Sequence, residues 1–367
     1  MSIIRLIGSK LVVASTFVTL SLTLHAAPEF TALDRPALRV TSPERQVMLS
    51  AAQVGSRIVA VGERGLVALS DDGGTSWRQA RYVPVSATLT AVYFVDAKLG
   101  WAVGHGAVVL HTKDGGETWV RQAEGRALAS AAFDAAETMI RRQSDNPKAI
   151  RELNAAKLLV QDGADKPLLD VYFIDAHHGW IVGAYNLFFE TRDGGLTWIS
   201  IASRLENPKG LHLNAIRAHG KKVFIVGEQG QMHRSTDGGE TFETVSSPYK
   251  GSLFTLSLTS AGEVVTAGLK GNAFSSADFG KNWQRIEGLA PVSVFGSAVL
   301  ANGSVLLANQ GGQVFLGGLN EPLKQVPMPA SSALASMLVL KDGGLLILGL
   351  GGVMRVPGEL SLNKASK

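Results

Sequence analysis

One phrase recurs along this chain: a Ser or Thr, an Asp two residues on, a Gly at four, a Ser, Thr or Asn at six, and an aromatic at seven. Ser70, Asp72, Gly74, Ser76 and Trp77 form one copy; Thr112, Asp114, Gly116, Thr118 and Trp119 form the next. Thr191, Asp193, Gly195, Thr197 and Trp198 make a third, and Ser235, Asp237, Gly239, Thr241 and Phe242 a fourth. A weaker fifth has Ser276, Asp278, Gly280, Asn282 and Trp283. The residue types fit a stapled turn. The carboxylate accepts backbone N–H bonds, the hydroxyls do so more weakly, and Gly takes backbone angles that a side chain penalises. The aromatic opens the next strand and buries a large area that anchors the turn.

A second signpost, an apolar run ending in Val-Gly or a near relative, gives the period. It falls at Gly62, Gly104, Gly183, Gly227 and Gly268, and degrades at Asn309 and Gly349. The spacing is 40–44 residues, apart from one interval of 79 that holds a period plus an insertion. A period of about 40–45 residues is that of a four-stranded propeller blade. Seven signposts predict an all-β, seven-bladed β-propeller. The phrase is the Asp box, or BNR repeat, of such proteins. Blades 6 and 7 keep strands and turns without the box, which is tolerable where the box is a structural staple.

The insertion, residues 125–166, changes period. Phe133, Ala136, Met139 and Ile140 recur at helical spacing, as do Ile150, Leu153, the stem of Lys157 and Leu158. Asn146 and Pro147 sit at N-cap and first-turn positions of a restarting helix. The reading is a helical hairpin between blades 2 and 3, either packed on the propeller or serving as a docking element. The rest divides into a signal peptide at 1–26, a closure segment at 27–46, the propeller at 47–357 and a tail at 358–367. Arg5 and Lys10 precede an apolar run and then small residues, the layout of a cleaved export signal. Residues 37–40 are expected to supply the outer strand that blade 7 lacks.

The charge balance by itself excludes little. Without Arg5 and Lys10 the 35 basic residues fall to 33 against 31 acidic, so half of the basic excess lies in the leader and no nucleic-acid surface is indicated. With Cys 0, disulfides and thiolate chemistry are absent. No histidine pair has metal-ligand spacing, and the glycines follow the blade period, so no metal or cofactor is expected. A sialidase-like glycosidase needs an arginine triad and a Tyr–Glu pair. Tyr93 and Tyr172 occupy equivalent repeat positions instead, and no enzyme is predicted.

Antiparallel strands send successive turns to alternate faces. The boxes, at third turns, share one face. The second turns share the other with the helical insertion. Arg64, His105, Tyr185, Asn186, Glu228, Gln229, Lys270 and Gln310 lie in those second turns and form the candidate partner-binding face.

Residues 45–356 resemble the photosystem II stability/assembly factor family of seven-bladed BNR-repeat propellers. The resemblance rests on Gly100-Trp101-Ala102-Val103-Gly104 and Gly179-Trp180-Ile181-Val182-Gly183, each coupled to the Asp box. It implies a monomeric, non-enzymatic scaffold, lumenal in phototrophs and periplasmic elsewhere. Its expected partner is a membrane-protein complex or an assembly intermediate of one, with a transporter as the client in a non-photosynthetic bacterium. The alternative is a propeller that binds or hydrolyses glycans.

Overall fold

The computed structural model describes residues 32–319, 321–329 and 332–358. The expected leader at 1–26 and nearly all of the expected tail lie outside the described residues. Seven antiparallel sheets follow one another along the chain, six of four strands and one of three. They span residues 48–79, 89–123, 168–200, 213–244, 253–285, 294–326 and 334–356, and are blades 1 to 7. Within each blade the strands pair in chain order. The first strand of each blade contacts that of the next, and blade 7 returns to blade 1, so the ring is closed.

The sequence pattern follows from that ring. Each blade is sandwiched between two others, so its second strand is covered on both faces and reads as an unbroken apolar run. Gly100–Gly104, Gly179–Gly183 and Leu345–Gly349 are buried throughout. The glycine that ends the run has a steric cause. A Cβ on Gly62 would lie 2.0 Å from the Val47 carbonyl oxygen, and one on Gly349 2.1 Å from that of Ala333. Blade 6 escapes with Asn309, whose fully buried side chain accepts the Gln313 N–H at 3.1 Å.

Every first strand carries a register shift near its start. Bulges of this kind re-aim a side chain. Here they bring one residue per blade to the channel, Leu49, Thr90, Leu169, Asn214, Phe254, Phe295 and Ala335. Phe254 and Phe295 stack there at 4.7 Å.

The insertion is a helical hairpin, α1 (Gly125–Arg142) and α2 (Pro147–Asp162). Asn146 caps α2 by accepting the Lys148 N–H at 2.9 Å, with Pro147 in the first turn. Leu128, Ala132, Ala136 and Ala156 bury against the seam between blades 2 and 3. The apolar face of α2 is not the expected one. Ala149 and Ala156 face inward with half-buried Leu153, while Ile150 and Leu158 are exposed. Small residues let the two helices approach closely, which turns the larger ones outward. No helix among the described residues is long and apolar enough to cross a membrane.

The closure segment also differs from expectation. Residues 37–40 run beside the outer strand of blade 1, not of blade 7. The Ala37 N–H donates to the Val83 carbonyl at 3.0 Å. The Gln79 side-chain amide then imitates a backbone peptide, accepting from Val40 N–H at 3.0 Å and donating to the Leu38 carbonyl at 2.8 Å. The short turn Pro43–Arg45 contacts the last strand of blade 7. That blade has three strands among the described residues.

Candidate functional site

The two faces of the disc are built from different turns. On the box face, all five Asp residues are consumed internally. In blade 2 the Gly116 N–H donates to Thr112 Oγ1 at 3.0 Å, and the Thr118 N–H to Asp114 at 2.9 Å. Blades 1, 3, 4 and 5 repeat those bonds. The hydrogen bond from the Ser76 hydroxyl, joined by the Ser76 N–H, holds the Asp72 carboxyl down at about 2. The Asn282 N–H and side-chain amide do the same for Asp278, also at about 2. Burial works to raise Asp114 and Asp193, yet the hydrogen bonds from Thr118 and Thr197 leave both lowered. Asp237 is lowered by the Ser235 and Thr241 hydroxyls.

Each box aromatic packs against the preceding blade. Trp119 packs with Val59 and Leu69, Trp198 joins the blade 2–3 cluster, and Phe242 meets Phe188 at 5.4 Å. Trp283 meets Phe224 at 6.1 Å, and Trp77 packs with Leu346 and Leu348 of blade 7.

The second turns share a backbone and differ in chemistry. Arg64, Gly106, Tyr185, Gln229 and Lys270 hold one equivalent position, with φ of 54°, 69°, 54°, 52° and 56°. The next residue, Gly65, Ala107, Asn186, Gly230 or Gly271, is also left-handed. Two successive left-handed residues make the tight hairpin turn that favours Asn-Gly. In three blades the second position must be Gly, because a Cβ would strike a linker carbonyl: Val85 at 1.9 Å, Tyr249 at 2.0 Å, Ala290 at 2.1 Å. The first position faces solvent, and there the chain spends Arg, Tyr, Gln and Lys where Gly would be less strained.

Of the eight expected residues, Arg64, His105, Tyr185, Gln229, Lys270 and Gln310 are exposed and Glu228 is half-buried. Asn186 is a correction. It is buried, and its Oδ1 accepts from Asn207 Nδ2 at 3.0 Å, tying the turn to the following linker. Three neighbours join Tyr185 into a continuous line. Lys166 Nζ lies 5.1 Å from the Tyr185 ring centroid, and His212 packs edge-on at 4.9 Å. His212 in turn lies 3.9 Å from Glu228. The hairpin stands beside this line. A Cβ on its first residue, Gly125, would lie 2.6 Å from Ala164 Cα, and Lys148 and Arg151 of α2 reach Glu206 at 3.0 and 3.7 Å. Between α2 and the Tyr185 turn lies a small cleft of about 100 Å³, where burial pushes the Glu152 carboxyl up.

Sequence reasoning missed Lys166, His212 and Asn207, which carry no repeat signal. It also missed the channel's charge pair. Asp170 accepts from Arg217 and from the Ile216 N–H at 2.9 Å. Tyr93 and Tyr172, equivalent in sequence, meet with ring centroids 4.5 Å apart. His178, of the adjacent pair His177-His178, contacts Glu190 at 2.8 Å. Among the described residues no group of three or more side chains is arranged to hold a metal.

The profile of a family described as photosynthesis system II assembly factor YCF48 matches residues 44–133 and 152–297. The unmatched interval is the middle of the helical hairpin. The photosystem II assembly lipoprotein Ycf48 of Prochlorococcus marinus (strain MIT 9313) is 25% identical over 192 residues, 40% of this chain and 57% of the relative. The chloroplastic photosystem II stability/assembly factor HCF136 of Oryza sativa subsp. japonica is 27% identical over 150 residues, 39% of this chain and 35% of the relative. The chain thus spans between about a third and just over half of these curated relatives. A solved structure of YCF48 bound to a D1 peptide superposes with a TM-score of 0.62 at 17% identity, covering 88% of this chain and 99% of that one. At that identity it speaks for the fold.

Proposed function

Since this chain belongs to the family of photosynthesis system II assembly factor YCF48 propellers, we propose that it is a non-enzymatic assembly factor. It holds a segment of a membrane-protein subunit on the second-turn face, in an exported compartment: the periplasm, or the lumen of a phototroph. One observation carries the reading. Four blades keep bulky, exposed side chains, Arg64, Tyr185, Gln229 and Lys270, at left-handed positions where Gly would fold more easily. Strain retained at equivalent sites on one face, while the frame around it stays fixed, is a signature of use.

The hairpin enlarges that face beside Tyr185. Its family relatives are photosystem II assembly factors by name, and one was solved with a D1 peptide. Both support an extended segment of a photosystem subunit as the client. The test is affinity capture from gently solubilised membranes with the intact chain and with residues 126–164 replaced by a short linker. The near-contact of Gly125 and Ala164 makes that excision closable. The expected result is a stoichiometric membrane partner that the excised form fails to retain. A photosystem subunit supports the family's client, and a transporter would change the client while keeping the face. Equal capture by a folded excised form would overturn the hairpin's part.

A further inference from the structure

Among the described residues, the seam between blades 6 and 7 lacks a box aromatic. The boxes of blades 1 to 5 each dock on the blade before, and the seam between blades 5 and 6, also without a box, is packed instead by Leu319 and Leu323 of blade 6. At blades 1 and 2, Arg57 Nη1 donates to the Gly115 carbonyl at 3.2 Å, and the Gly115 N–H donates to the Lys98 carbonyl at 3.0 Å. Arg78 pairs with Glu117 at 2.9 Å, and Trp119 lies on Leu69. Strand register assigns counterparts in blades 6 and 7: Ser304 for Arg57, Leu316 for Leu69, Lys324 for Arg78, Val339 for Phe94 and Gly343 for Lys98. All five line one cavity of about 490 Å³. It is the seat that an Asp box in blade 7 would fill.

The strand beside it is also uncovered. The third strands of blades 1, 2, 3 and 5 are buried throughout, whereas in Gly352–Val356 the central Val353, Met354 and Arg355 are half-buried. Pro43–Arg45 covers this strand at Gly352, where a Cβ would strike the Glu44 carbonyl, and no strand pairs with its outer edge among the described residues. Such an edge is a template for an added strand.

We propose that this seat and edge form a second docking site, on the box face. Its ligand is an extended segment of another protein with a carboxylate two residues before an aromatic side chain. The chemistry is read from the filled seams. Glu117 stands two residues before Trp119 and pairs with Arg78; Glu240 stands two before Phe242 and pairs with Arg192 at 2.5 Å. In each box the two residues after the aromatic pair with the third strand. Lys324 supplies the cation, Leu316 and Val339 the apolar floor, and Met354 with Arg355 the strand partners.

The test is a titration of a fluorescent peptide with the sequence of residues 113–121 into the full chain, read by anisotropy. Saturable binding is expected. A peptide with Trp replaced by Ala should weaken it about tenfold or more, as losing a buried aromatic anchor does. Lys324→Glu should weaken binding several-fold, and a peptide with Glu replaced by Lys should restore it to that variant. Leu316→Trp and Val339→Phe, which fill the seat from within, should abolish binding while the melting temperature holds or rises. Binding indifferent to these changes, or none with folded protein, would overturn the proposal. So would binding only to a form ended at Gly358, which would assign the seat to the chain's own later residues.

Discussion

The two faces of this disc are made by one repeat, yet they spend their side chains differently. On the box face five turns keep the same pattern of hydroxyl, Asp, Gly and aromatic, and each carboxylate is satisfied by its own loop. On the opposite face the turns share a left-handed backbone, with φ between 52° and 69°, and carry Arg, Gly, Tyr, Gln and Lys. Constancy of side chain marks structural labour. Variation inside a constant frame, held at a conformational cost, marks a surface free to specialise.

Four results would break or sharpen that contrast. The largest effect belongs to the box aromatics: Trp119→Ala should cost about 3–5 kcal/mol in chemical denaturation, because a fully buried ring leaves a cavity between two blades. Next is acid. All five box carboxyls are lowered in the fold, Asp72 and Asp278 to about 2, against 3.8 for the free group. The unfolded chain therefore binds protons first as pH falls, so this stability is present above pH 4 and is lost toward 2. Melting temperatures should drop through that window, and less steeply in Asp72→Asn. A separate, shallower loss should run from pH 6.5 to about 4. Burial lowers His233 to about 4, so its penalty grows as the unfolded histidine protonates first, and His233→Gln should remove it.

Third, Asp114→Ala should cost roughly 1–2 kcal/mol, since it strands the Thr118 N–H and the Thr112 hydroxyl. The smallest change should have the opposite sign. Tyr185→Gly, Gln229→Gly and Lys270→Gly should each leave stability unchanged or raise it by up to about 1 kcal/mol, by relieving left-handed strain. Destabilisation by these three would place them with the staples.

Much of this contrast was legible in the sequence because it is local. Asp72 to Trp77 closes its own loop, and the Val-Gly spacing counts blades that pair in chain order. Asn146-Pro147 announces the second helix within two residues. What stayed hidden depends on partners far along the chain. Asn186 reads as a turn residue until Asn207, 21 positions on, draws it inward. Residues 37–40 carry a strand's pattern, but the Gln79 side chain decides which blade they meet. Ile150 and Leu158 fit a helical stripe, and only the packing of Ala149 and Ala156 shows that the stripe faces out. The seat between blades 6 and 7, open among the described residues, shows only once the filled seams supply its outline.

The most direct measurement compares client capture by two sets of variants at equal folded concentration. One set is Tyr185→Gly, Gln229→Gly and Lys270→Gly combined; the other is Asp72→Asn with Asp278→Asn, on the opposite face. The first set should melt no lower than the parent and lose the client, and the second should melt lower and keep it. Capture retained by the glycine set would contradict the assignment of function to the second-turn face.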